Sequence, residues 1–154
     1  MTSRDKQSRP YLAITMGDPA GIGPEIIVKA LSSPTVWRIC RPIVVGATSV
    51  FEQEVRRLQS LLRVVPLKGD HAPIEGKQIA KGCIPILDPL DKPLGRFQKG
   101  KAARDSGAAS LSCIETAVRL AQYGCVGGIV TAVSYTHLRA HETRHDLVCR
   151  LLLE

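Results

Sequence analysis

Two carboxylates, Asp18 and Glu25, flank a glycine-rich run at residues 16–25, MGDPAGIGPE. Carboxylates at such a turn can orient a ribose, a metal or a substrate hydroxyl, although an aspartate there also bonds its own backbone. Ser106 stands before Gly107 at a helix start, where a hydroxyl either caps the helix or contacts a phosphate. Thr131 closes an apolar run, at the kind of strand end where α/β proteins bind ligands. His137, His141 and His145 would share one face of a helix, which suits imidazole ligands to a metal. With Glu142 they spell H-E-x-x-H, the letters of a zinc-binding helix.

The elements that must hold these groups follow from periodicity. The apolar run 11–15, YLAIT, reads as a strand feeding the glycine turn, and residues 26–31 continue as a helix. Gly17, Gly21 and Gly23 allow positive φ or close approach, and the motif predicts positive φ at Gly21 or Gly23. Pro24 suits a first helical position, and Glu25 suits the first turn, where the helix dipole favours a negative charge. Such a turn exposes free N–H groups and can seat an anion. The spacing is neither the dinucleotide fingerprint G-x-G-x-x-G nor a P-loop. A tight structural turn and a ligand-facing loop both remain open on these grounds.

Ser32-Ser33-Pro34 should close the first helix, and Ile43-Val44-Val45 reads as a buried parallel strand. Thr48 or Ser49 can cap a second helix, whose Val50, Phe51, Val55, Leu58, Leu61 and Leu62 fall at helical spacing. Residues 63–67 and 84–87 read as strands, the latter within a Gly- and Pro-rich stretch, 68–101, of loops or a second subdomain. Residues 105–123 form the clearest helix, with Ala108, Leu111, Ile114, Ala117, Val118 and Ala121 on one side and Gly124 as a left-handed cap. A buried strand at 127–131 follows. Strands alternating with helices predict a parallel α/β sheet with ligands at the strands' carboxyl ends.

The stretch ITMGDPAGIGPEIIVKAL, residues 14–31, is similar to the N-terminal signature of the 4-hydroxythreonine-4-phosphate dehydrogenase family. More distantly it resembles the opening of isocitrate and isopropylmalate dehydrogenases. A second block agrees: Gly100, Ser106-Gly107-Ala108-Ala109, Ile114-Glu115-Thr116-Ala117 and Gly128-Ile129-Val130-Thr131-Ala132. The resemblance spans about residues 11–132 and implies a truncated isocitrate/isopropylmalate dehydrogenase-like parallel-sheet domain. It implies NAD or NADP at Gly17, Asp18, Gly21, Gly23 and Glu25, and a phosphorylated substrate at Ser106 and Thr131. The reaction implied is oxidation and decarboxylation of 4-phosphohydroxy-L-threonine in pyridoxal phosphate synthesis, by a cytoplasmic homodimer. Sister activities act on 4-phosphoerythronate or a dihydrodiol carboxylate; a fragment without activity, or a small binding module, is the reading of a different class. The family's divalent metal (Zn, Mg or Co) is held by histidines in a portion this sequence does not match. No metal ligand or catalytic residue therefore carries over, and the chain alone is expected not to work as a dehydrogenase.

Composition bounds these readings. One domain is the natural prior for 154 residues, and 44% hydrophobic with 23% charged residues is ordinary for a globular chain. The net charge of +7 is scattered and only 4% of residues are aromatic, which argues against a nucleic-acid module and is met as well by a phosphorylated anion. Five widely spaced cysteines read as reduced thiols. No signal peptide or membrane-length apolar run is visible. Residues 1–10 read as a loose leader, and His71 as a loop residue. From Val133 the family pattern breaks abruptly, and residues 133–154 resemble translated adapter or vector read-through, a non-native tail that is excluded from fold reasoning.

Overall fold

The computed structural model describes residues 9–67, 82–90, 94, 99–100 and 104–132. Most of the leader, most of 68–101 with His71, and the tail with its three histidines and Cys149 lie outside the described residues. Nine elements alternate along the rest: β1(Tyr11–Thr15), α1(Gly23–Leu31), α2(Pro34–Ile39), β2(Arg41–Val45), α3(Thr48–Arg57), β3(Arg63–Pro66), β4(Cys83–Leu87), α4(Arg104–Gln122) and β5(Gly128–Thr131). All pairings are parallel, in the order β3-β4-β2-β1-β5. The parallel α/β expectation is met.

Two prolines sit within inner strands, and the register shows why they fit. Pro42 pairs with Leu12 on the β1 side, while pairing with β4 begins only at Val44. Pro85 pairs with Val65 of β3, while pairing with β2 begins at Ile86. Each lies where its missing N–H leaves no ladder bond unmade on one side.

From β2 the chain passes through α3 to β3, beyond β4; from β4 it passes through α4 back across β2 and β1 to β5. Right-handed crossovers in opposite directions put α3 and α4 on opposite faces, with α1 packed against α3 and α4 across β1, β2 and β5. Met16 shows the alternation: its side chain and that of Phe51 on α3 both border the space over Gly46. Ala13 and Thr15 therefore face α4. Ile43, Val44, Val45, Ile84, Ile86, Phe51, Leu31 and Leu120 fill the core between these layers, each contributing about 1.5–3 kcal/mol by burial. Burial, with the charge of Asp88 adding to it, pushes the Cys113 thiol up to about 12. The four described cysteines are free.

Five sequence expectations need correction. α3 stops at Arg57, with Gln59 turning at φ 51°, so Leu61 and Leu62 lie beyond the helix and Leu61 is exposed. Ser33 does more than end α1: it caps a short helix, α2, through its hydroxyl and the Thr35 N–H. Thr48 and Ser49 do not cap α3; Ala47 is the N-cap residue, and the Thr48 N–H donates to Asp88 Oδ2 at 2.7 Å. On α4 the buried positions are Ser106, Ala109, Ser110, Cys113, Thr116, Ala117 and Leu120, so of the expected apolar side only Ala117 is buried. α4 packs on β1, β2 and β5, and small side chains in place of large apolar ones fill most of its buried side, as a close-packed contact allows. Finally β5 is not buried: among the described residues it pairs only with β1, and Val130 and Thr131 are exposed. Gly124 does end α4 with φ 70°, as expected.

Candidate functional site

The loop after β1 stands at the carboxyl edge of the sheet, between Thr15 and the start of α1. Its shape comes from three local features. Gly17 takes φ 71°, so the turn's left-handed residue is Gly17, and neither Gly21 nor Gly23 has positive φ. Asp18, buried, accepts the Ala20 N–H on Oδ1 at 2.8 Å, and its carbonyl accepts the Gly21 N–H at 3.0 Å. Gly23 is required by contact: a Cβ there would lie 2.3 Å from the Met16 carbonyl oxygen.

The first turn of α1 carries Pro24 and Glu25, as the sequence suggests, and no side chain caps it. The unpaired N–H groups of such a turn, with the helix dipole behind them, favour an anion. The first turn of α3 is different, because Asp88 already fills it, its Oδ1 also accepting the Leu90 N–H at 3.1 Å. A phosphate or carboxylate therefore finds an open helix start at α1 and an occupied one at α3.

Glu25 does not face the loop. Its Oε1 meets Lys29 Nζ at 2.6 Å and its Oε2 meets Arg57 of α3. Hydrogen bonds from Lys29 and then Arg57 hold its carboxyl below the usual carboxylate range. Arg57 continues to Glu54, which is 1% exposed and also paired with Lys99. Burial alone would push the Glu54 carboxyl up, but the bonds from Arg57 and Lys99 bring it below its ordinary value. Sequence reading missed Glu54, because an acidic residue between apolar positions of a helix looks solvated; Arg57 three residues on was the available signal.

Ser106 is not a cap but lies inside the first turn of α4, buried and with no hydrogen-bond partner for its hydroxyl. Thr15 and Ser110 carry the same kind of orphan hydroxyl. Thr131 pairs in register with Thr15 at the same edge, exposed. The fold thus brings Gly17, Asp18, Gly21, Gly23, Ser106 and Thr131 to the ends of β1 and β5 and the start of α4. It turns Glu25 aside. Beside them, where the chain reverses direction between β2 and β4, lies an open cleft of about 280 Å3 lined by Ala47, Thr48, Ser49, Glu52, Asp88, Leu90 and Leu94. A crevice at such a reversal is where open α/β sheets bind ligands. Among the described residues no three His, Cys, Asp or Glu side chains come together as a metal site, and no helix is long and apolar enough to cross a membrane.

No protein-family model matches the chain. It is 34% identical over 124 residues to a 4-hydroxythreonine-4-phosphate dehydrogenase of Trichlorobacter lovleyi, covering 80% of this chain and 36% of that protein. It is 36% identical, with the same coverage, to a protein of Symbiobacterium thermophilum assigned as a D-threonate 4-phosphate dehydrogenase. The crystal structure of a 4-hydroxythreonine-4-phosphate dehydrogenase from Burkholderia phymatum superposes with a TM-score of 0.78 at 27% identity, covering 89% of this chain and 40% of that one. A terephthalate 1,2-cis-dihydrodiol dehydrogenase from Burkholderia xenovorans follows at a TM-score of 0.59 and 27% identity, covering 79% and 33%.

Sheet order and strand-end loop define a parallel α/β domain, and the proteins it resembles are named as dehydrogenases. Over 80% of its length the chain is similar to members of the 4-hydroxythreonine-4-phosphate dehydrogenase family. It spans about 36% of the length of the curated relatives it matches.

Proposed function

We propose that this chain forms the strand-end half of an active site that oxidises a phosphorylated hydroxy acid, 4-phosphohydroxy-L-threonine, with NAD or NADP. The observation that carries this reading is the uncapped first turn of α1, held at the carboxyl edge by the Gly17–Asp18 turn and by the contact of Gly23 with Met16. An anionic phosphate of substrate or cofactor would be bound by the N–H groups of that turn. Asp18 acts through the loop, keeping Ala20 and Gly21 folded back so that α1 begins where it does. Ser106 offers a hydroxyl that has no other partner, and Thr131 a second one at the neighbouring strand end.

A bound nicotinamide would accept the hydride leaving the substrate's alcohol carbon. The described residues supply no divalent-metal site, so no step is assigned to one. The same reading takes a homodimer as the assembly, the cytoplasm as the location and pyridoxal phosphate synthesis as the setting, all resting on the family resemblance. D-Threonate 4-phosphate is the second substrate candidate, because the Symbiobacterium relative is as similar as the others. It is likewise a phosphorylated hydroxy acid, without the amino group.

The test is reduction of NAD and NADP by the encoded protein with each of the two substrates, alongside direct binding of each. Tighter binding of phosphohydroxythreonine, or faster reduction with it, supports the reading, and a preference for phosphorylated threonate moves it to the second substrate. Absence of both binding and reduction, with either substrate, would sink it.

A further inference from the structure

We infer that Glu54 is a positioning residue: from α3 it clamps the loop after β1 at two points, within the loop and just beyond it, and so holds the first turn of α1 in the shape that receives an anion. The inference rests on the anion reading of that loop. Glu54 Oε1 accepts from Arg57, with the Nε contact at 3.0 Å, and Oε2 accepts from Lys99 Nζ. Arg57 reaches on to Glu25 in the first turn of α1, downstream of the loop. Lys99 is followed by Gly100, whose N–H donates to the Ala20 carbonyl at 2.8 Å, within the loop itself. One carboxylate thus controls two arms, Arg57–Glu25 and Lys99–Gly100–Ala20.

Stability alone does not account for this arrangement. A buried carboxylate is costly to desolvate, and a buried ion pair is often no better than apolar side chains of similar volume. What the charge adds is direction, because two cations are drawn to one point from different segments. Arg57 is on α3, Lys99 precedes α4, and Glu25 and Lys29 are on α1; among the described residues these are the charged groups in the ionic chain that contains Glu54. Only the two glutamates titrate in the acid range, so a Glu54 variant separates their effects.

The experiment measures exchange of the Gly100 amide hydrogen in the full chain, without ligand, as a function of pH. In the wild type, protection of Gly100 is expected to fall as acid protonates Glu54. Glu54→Gln should exchange at least tenfold faster at neutral pH and lose that acid dependence, while amides of β1 and β2 stay protected. Lys99→Met cuts one arm at a half-exposed residue, leaves Glu54 with Arg57, and should speed Gly100 in the same way; it decides the matter if Glu54→Gln does not fold. Gly100 exchange unchanged in Lys99→Met, or unchanged in a folded Glu54→Gln, overturns the inference. Inorganic phosphate, followed by the Gly23 amide shift, should bind the Glu54→Gln chain at least tenfold more weakly than wild type, and equal binding also overturns it. Failure of phosphate to shift Gly23 in the wild type removes the anion reading and the positioning role, while the Gly100 result still reports the clamp.

Discussion

Gly23 has no room for a side chain, and the obstacle is backbone. An alanine Cβ would fall 2.3 Å from the Met16 carbonyl oxygen, so either the loop or the end of β1 must shift. Gly23→Ala is expected to cost about 1–3 kcal/mol or more, as overpacking does, read by urea unfolding. Gly17→Ala forces a side chain into a left-handed turn and should cost about 1–2 kcal/mol. Gly21→Ala meets no positive φ and should stay within about 0.5 kcal/mol. Equal costs at Gly21 and Gly23 would contradict this ranking. The motif's spelling makes the three glycines look alike; only the crossing of α1 behind Met16 separates them. Ser106 gives a second contrast. Its buried hydroxyl has no partner, and leaving such a group unmade costs about 1–3 kcal/mol. Ser106→Ala should therefore keep or raise the melting temperature of the free chain while weakening phosphate binding. A loss of stability with binding intact would assign the hydroxyl a purely structural role.

Among the elements, α3 shows how a helix start can be settled from a distant strand. Its capping group is Asp88, which follows β4, forty residues away in sequence. Asp88→Ala should cost about 0.5–2 kcal/mol, the range for losing an N-cap. Ser49→Ala, at the exposed residue that local sequence offers as a cap, should change stability by less than about 0.5 kcal/mol. The reverse order in thermal unfolding would contradict the assignment. β1, β2, β4, α1 and α4 were legible because each is a local pattern: an apolar run, a proline at a helix start, a glycine at a helix end. The buried side of α4 was not legible, because the strands it packs on, β1, β2 and β5, set which face is covered, and no pattern within α4 records that. Glu54 was hidden for a related reason, since its partner Lys99 comes from a segment with no periodicity.

For the whole molecule, the ionic chain Lys29–Glu25–Arg57–Glu54–Lys99 links α1, α3 and the approach to α4. Both glutamates have lowered folded-state pKa values, so their contribution is present above the ordinary value of 4.5 and is lost as pH falls through the folded values. The melting temperature should decline with acidification below about pH 4.5, and less steeply in Glu54→Gln. A parallel decline in both would show that the linkage lies elsewhere. The claim on which the functional reading depends is that ligands enter at the carboxyl edge of the sheet. Amide chemical shifts during titration with NAD and with 4-phosphohydroxy-L-threonine test it most directly. The result expected is a set of shifts at Gly17, Gly21, Gly23, Ser106 and Thr131, with residues at the opposite edge, such as Tyr11 and Arg41, unmoved. Shifts confined to that opposite edge, or none with either ligand at saturating concentration, would contradict it.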